Sequence, residues 1–251
     1  MMPDNTTTVD ELWEAARRNF PVFSPELQRA GMVLLGELTK GEPVTTSQFA
    51  QALGASFATA GALVKNSVLS PFVHLDGEDR IQGFFGLAVT PTHHQLTVSD
   101  RTLYAWCAVD CLFLPELIDD TAEIESKDPE SGQVVRLTVS PSGVNSVEPA
   151  GIVVSMVPPQ TWDLTSAARV MKSACHFIFF FTSRASGERW QAKHTEPETI
   201  LLSMDEAVAY CKRSNAHVFG TELAQRTAGQ AGREGRQDEV ARAAHSDRGD
   251  G

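Results

Sequence analysis

SDRTLYAWCAVDCLFLPEL, residues Ser99 to Leu117, sets a thiol and a carboxyl three residues apart in otherwise apolar sequence. Leu103, Trp106, Cys107, Asp110 and Leu114 recur at spacings of three and four. That spacing predicts one helical face with Ser99 or Asp100 as its N-cap. A carboxylate on such a face is costly unless it is paired, hydrogen-bonded or protonated, so Asp110 needs an explanation that Leu103 does not. Two explanations stand at this level. Asp110 ties down a neighbouring loop while Cys107 fills the core as a small hydrophobe, or the two form a reactive pair.

Around this stretch the chain has 251 residues, 42% of them hydrophobic, enough for one large domain or two small ones. No apolar run reaches the length of a membrane helix, and the opening MMPDNTTTVDELWEAARRNF has neither a basic nor an apolar leader region. A cytoplasmic location without membrane association is expected. Cys107, Cys111, Cys175 and Cys211 are too few and too scattered for a disulfide scaffold, so reduced thiols are the expectation. A formal net charge of -11 disfavours nonspecific attraction to nucleic acid or anionic lipid.

Upstream, residues 1–23 read as a helical extension with one amphipathic helix, Val9 to Asn19. Residues 24–92 read as helix, helix, turn, helix and then a hairpin from His74 to Val89 with its turn at Asp76-Gly77, the order of a winged helix-turn-helix domain. The would-be recognition helix SFATAGALVKNSV carries only Lys65 as a cation, and the wing sets Arg80 against Asp76, Glu78 and Asp79. Phosphate contacts supply most of the affinity for DNA, so a covering role is expected and nucleic acid is not. His93 and His94, after Pro91, read as solvated loop histidines.

Downstream, residues 93–226 alternate short strands and helices. Strands are predicted at Ala122 to Glu125, Val134 to Val139 and Ile152 to Val157, with SPSGVNSVEPAG as a turn-dense connection. Helices are predicted at Leu164 to Lys172 and Gly187 to His194, and Cys175 to Phe181 reads as a central apolar strand. Ser203 with Glu206 makes a capping box for a last helix. Residues 227–251 contain Val240 as their single large aliphatic residue and are expected to be disordered.

Cys107, Asp110 and Cys175 belong together chemically. Thiolates prefer soft metals and carboxylates hard ones, so two thiols with one carboxyl suit a soft metal ion, with the carboxyl as proton carrier. Cys107 and Cys111, four apart, form a rival chelating pair. Cys211, between Tyr210 and Lys212, reads as a bystander.

Five blocks, RTLYAWCAVD, LTVSPSG, SVEPAGIVVSMVPPQ, CHFIFFFTS and WQAKH, closely resemble the organomercurial (alkylmercury) lyase family in the same order. The resemblance runs from about Ser24 to Leu223 and is strongest from Val98 to Ser183. It implies an α+β fold, a winged-helix-like three-helix domain followed by a domain of short, mostly antiparallel sheets with flanking helices. It implies cleavage of carbon-mercury bonds without a cofactor, and Cys107, Asp110 and Cys175 as the catalytic and mercury-binding residues, with Trp106 in the pocket wall. Mercury is then substrate and product, and mercuric reductase or a low-molecular-weight thiol is the implied acceptor. Asp128 stands where the family pattern has a further cysteine, Cys111 is an added thiol, and His176 replaces a cysteine of some members. A metal-responsive winged-helix regulator and a mercury-binding chaperone that does not cleave are the competing classes.

Overall fold

The computed structural model describes residues 9–246, with side chains to residue 228. Four helices come first: α1 (Val9–Asn19), α2 (Pro25–Leu38), α3 (Thr46–Leu53) and α4 (Phe57–Asn66). Their boundaries have local causes. Ser24 Oγ accepts the Leu27 N–H ahead of α2, whose first residue is proline. Thr45 and Gln48 form a capping box on α3, which Gly54 ends in the left-handed region at φ +70°. Ser56 Oγ accepts the Thr59 N–H at the start of α4 (3.1 Å).

The next segment contributes β1 (Val73–Leu75), β2 (Ile81–Phe84) and β3 (Leu87–Ala88). The helices and hairpin follow the expected order, but the hairpin does not stand free. With β4 (His94–Val98), β5 (Arg101–Ala105), β6 (Ala122–Lys127), β7 (Val134–Ser140) and β8 (Gly143–Glu148) it forms one antiparallel sheet in the order β1-β2-β3-β5-β4-β6-β7-β8. Lys65 pairs with Asp79 and Arg80 with Asp76, both at 2.8 Å, so these cations of α4 and the hairpin are already matched by carboxylates.

Several expectations are corrected here. Ser99 to Ala105 is not helical. Ser99 and Asp100, at φ +47° and +64°, form a two-residue turn that pairs Val98 with Arg101. Two consecutive left-handed residues match the twist of a hairpin, and aspartate tolerates that conformation. The helix predicted there begins only at Ala108, as α5 (Ala108–Ile118). SPSGVNSVEPAG holds β8, in register with β7 through a bulge between Thr138 and Val139. His94 lies in β4, 1% exposed, where its Nδ1 meets Ser126 Oγ at 2.9 Å and burial lowers its pKa to about 3.

A second sheet has β9 (Val153–Met156) at its centre, flanked by β10 (Phe180–Phe181) and β11 (Ile200–Ser203). Cys175 to Phe181 is therefore not a central strand. Cys175–Phe177 is a turn of 3-10 helix following α6 (Ala167–Ser173), and only Phe180 and Phe181 pair, at an edge. Continuous apolarity there reflects burial and not sheet geometry. α7 (Arg184–Lys193) follows, and α8 (Met204–Ser246) starts at the Ser203–Glu206 capping box. Its backbone is helical to Ser246 apart from a kink at Phe219 (φ -124°, ψ 15°), although disorder was expected from residue 227 onward. Alanine, glutamine, glutamate and arginine favour helix whether or not a core exists. The remainder of the expected tail, 247–251, lies outside the described residues, as does 1–8 of the extension.

α5 rests on β4, β5, β7 and β8, and α2 and α8 pack against it in turn. This places α5 inside the molecule: of its eleven residues only Glu116 and Ile118 escape full burial. Among the described residues no helix is long and apolar enough to cross a membrane.

Candidate active site

Cys107 stands at the junction of β5 and α5, as the N-cap of the helix. Its extended backbone (φ -151°, ψ 174°) gives its N–H to Asp110 Oδ2 at 2.8 Å. The spacing of three thus has a meaning different from the one expected. It marks an N-cap and the third helical residue, a position where acceptors and negative charge are favoured by unpaired helix N–H groups. The Cys175 turn is docked onto the same point, because the Ala108 N–H donates to Ile178 O at 3.1 Å. Ser155 of β9 holds that turn from behind: its Oγ donates to Phe177 O (2.8 Å) and accepts the Phe179 N–H (2.9 Å).

The result is one cluster. The sulfurs of Cys107 and Cys175 and a carboxylate oxygen of Asp110 lie within 4.8 Å of one another, all three buried. Within that distance the two thiols and the carboxyl influence one another's titration. Burial raises the Asp110 pKa to about 7, against the hydrogen bonds from Cys107 that favour its charged form. Burial also pushes the Cys107 thiol well up, with the Asp110 charge adding to it. For Cys175 the Cys107 hydrogen bond pulls down, but burial and the Asp110 charge outweigh it and the net direction is up. The resting cluster therefore holds protonated thiols beside a carboxyl poised near neutrality, a group able to take or give a proton at pH 7.

The cluster borders a cavity of about 40 Å³, walled by Phe20, Phe72, Phe85, Phe113, Trp162 and Val170. Trp106, 6% exposed, belongs to this wall as expected. Cys111 does not join the cluster. Its thiol is turned to Cys107 O (3.5 Å), which separates it from the rival pairing with the Cys107 sulfur. Cys211 is not in polar surroundings but is buried, with its thiol on Val109 O at 3.7 Å.

Residues that no local pattern marked also shape the site. Phe85 and Gly86, at φ +46° and +90°, make the tight turn joining β2 to β3. A Cβ on Gly86 would lie 2.5 Å from the Asp110 carboxyl carbon, so only glycine lets the backbone cover that carboxyl. Gly86→Ala is expected to shift Asp110 and lower kcat about 100-fold, by analogy with other 1 Å misplacements of catalytic groups, while circular dichroism remains that of the folded protein. Single-turnover kinetics measure it.

Asp128 is fully buried. Burial alone would raise its pKa, but its Oδ2 accepts the Thr182 N–H and the Thr182 and Ser186 hydroxyls, and its Oδ1 the Glu130 and Ser131 N–H groups. These bonds hold the carboxyl down at about 2. They tie the end of β6 to the segment carrying β10 and α7. A depressed folded pKa stabilises above the unfolded value and is lost as pH falls. Asp128→Ala is expected to cost about 3 kcal/mol at pH 7, with the deficit shrinking toward pH 2, as read from denaturant melts.

The family model described as alkylmercury lyase matches residues 87–214. The alkylmercury lyase of Staphylococcus epidermidis is 36% identical over 174 residues, covering 69% of this chain and 76% of that one. The alkylmercury lyase of Bacillus cereus is also 36% identical, over 69% of this chain and 75% of its own length. That of Pseudomonas putida is 32% identical over 67% and 76%. Among solved structures, the mercury-bound form of MerB2 superposes with a TM-score of 0.67, 21% identity, and coverage of 84% of this chain and 99% of that chain. At that identity the superposition shows a shared fold.

Proposed function

This chain belongs to the alkylmercury lyase family, whose reaction is cleavage of carbon-mercury bonds, and we propose that Cys107, Asp110 and Cys175 carry that reaction out. The observation that supports this assignment is the convergence of two sulfurs from distant parts of the chain, with one carboxyl, in a buried apolar cavity.

Carbon leaves mercury reluctantly as a carbanion, so the reaction needs electron density pushed onto that carbon and a proton held beside it. One protein thiol loses its proton to solvent and takes the metal of R–Hg–X, its sulfur forming a bond to mercury as X departs with its electron pair. Asp110, as carboxylate, accepts the proton of the second thiol, and that sulfur binds the metal too. Cys107 is the natural proton source, since Asp110 is held at the same helix start by the Cys107 N–H and its carboxyl lies within 4.8 Å of the Cys107 sulfur. Two thiolates on mercury weaken the carbon-mercury bond, and the Asp110 carboxyl gives its proton to the leaving carbon. RH departs, and mercury(II) remains on two sulfurs. Protons and electrons balance without a cofactor. The soft metal holds soft ligands until a dithiol, of mercuric reductase or of a small molecule in the cytoplasm, exchanges for them. In this reading residues 24–92 act as a winged-helix-like cover over the catalytic segment 93–226.

The test is gas chromatography of the headspace over phenylmercury and the protein. One benzene per turnover is expected, with one mercury retained on the protein until dithiol is added. Stoichiometric mercury binding with no benzene would transfer the protein to the chaperone class.

A further inference from the structure

Four buried side-chain polar atoms lack a hydrogen-bond partner among the described residues: Trp106 Nε1, Tyr210 Oη, Asn215 Oδ1 and His217 Nε2. Only Trp106 and Tyr210 belong to residues that line the cavity beside the cluster. The Trp106 N–H abuts β2, since a Cβ on Gly83 would lie 3.1 Å from it. That leaves the Tyr210 hydroxyl as the unpaired donor carried by a residue that lines the cavity, itself 2% exposed. Ser214 lines the same cavity one helical turn later on α8, so two hydroxyl-bearing residues border it from one helix. An unmade hydrogen bond in such a place costs on the order of 1–3 kcal/mol, and phenylalanine would avoid it.

The reaction described above leaves one partner unassigned. Its organic group suits the aromatic walls, whereas X, which leaves mercury with an electron pair, becomes an anion in a dry cavity and needs a donor there. We propose that the Tyr210 hydroxyl, with Ser214 a turn away, forms the subsite for the anionic ligand X of R–Hg–X, a halide or a thiolate. The inference rests on the lyase reading and adds a residue to it. A protein thiol gives its proton to solvent as its sulfur bonds to mercury, the mercury-X bond breaks, and X⁻ accepts the hydrogen bond while Tyr210 keeps its proton.

Tyr210→Phe removes the hydroxyl and nothing else, so the thermal midpoint is expected to stay or to rise. Stopped-flow uptake of phenylmercury, followed by the ultraviolet absorption of the mercury-thiolate bond, is expected to slow about 10- to 100-fold, the size of one hydrogen bond to an anion. Benzene release from phenylmercury already on the protein should be unchanged. Phenylmercury chloride and its cysteine adduct, run in parallel, name the source: loss with chloride alone assigns a halide subsite, loss with the adduct alone a thiolate subsite, and loss with both a subsite for either. Added iodide should compete with uptake by the wild type and not by the variant. Uptake unchanged with both substrates, or equal iodide competition in both proteins, overturns the proposal. Wild-type protein that takes up phenylmercury but releases no benzene defeats the lyase reading instead, and leaves the uptake comparison intact.

Discussion

Cys107→Ser and Cys175→Ser are each expected to lower hydrocarbon release from phenylmercury by at least about 1,000-fold, because a serine hydroxyl supplies neither a thiolate nucleophile nor a soft ligand. The loss should fall on kcat, since one remaining sulfur still takes up the metal. Serine is close to cysteine in size, and each variant should melt within about 1–3 kcal/mol of the wild type, the cost of a buried hydroxyl. Cys111→Ser should retain hydrocarbon release, as its thiol faces a backbone carbonyl and not the cavity. If Cys111→Ser were inactive and Cys175→Ser active, mercury would be held by the two thiols of one helix end, and the mechanism would need rebuilding around them.

Asp110→Asn should bind mercury(II) as well as the wild type and cleave about 100- to 10,000-fold more slowly, the range for removing a general acid-base group. The geometry supports a clean test, because an amide oxygen can still accept the Cys107 N–H that Asp110 accepts now. Two pH signatures separate the proton role from a structural one. With a carboxyl pKa of about 7, kcat/KM of the wild type should rise as pH passes through 7, since a protonated Asp110 cannot accept a thiol proton. That limb should vanish in the variant. Stability should move in the opposite sense. A carboxyl whose pKa is raised on folding stabilises below its unfolded value and loses that contribution as pH rises through the folded one. The wild type should therefore give up on the order of 4 kcal/mol between pH 4 and pH 8 that Asp110→Asn retains, as measured by urea melts of both proteins.

Helix boundaries set by local capping were legible in the sequence. The start of α8 lies where the Ser203–Glu206 pair places it, because a cap involves only residues three apart. What depended on the backbone's handedness was misread. Ser99 and Asp100 suit a helix N-cap and a left-handed turn equally well, and the choice rests on whether Leu103 and Tyr104 pair with β4, which is tertiary. The aromatic run from Phe177 to Phe181 gave no hint that Ser155 would clamp its backbone into a turn. Position 94 carried no sign of its burial, since a histidine in a strand and one in a loop look alike without the partner strand holding Ser126.

The site divides the same way. Cys107 and Asp110 drew notice through their spacing, although the spacing encodes reciprocal capping at a helix start and not neighbours along a stripe. Cys175 joins them through soft-metal chemistry and the matched blocks, and no property of residues 107–111 fixes where it lies. Gly86 and Tyr210 lie in segments with no recognisable motif. Each matters because of what stands opposite, the Asp110 carboxyl in one case and the cavity in the other.

Mercury L-edge X-ray absorption on protein loaded with one equivalent of mercury(II) counts the sulfur atoms bound to the metal. Two sulfurs in the wild type, falling to one in both Cys107→Ser and Cys175→Ser, is the result expected if these two thiols converge on the metal. Two sulfurs persisting in either variant would show that another cysteine completes the site and would contradict the assignment.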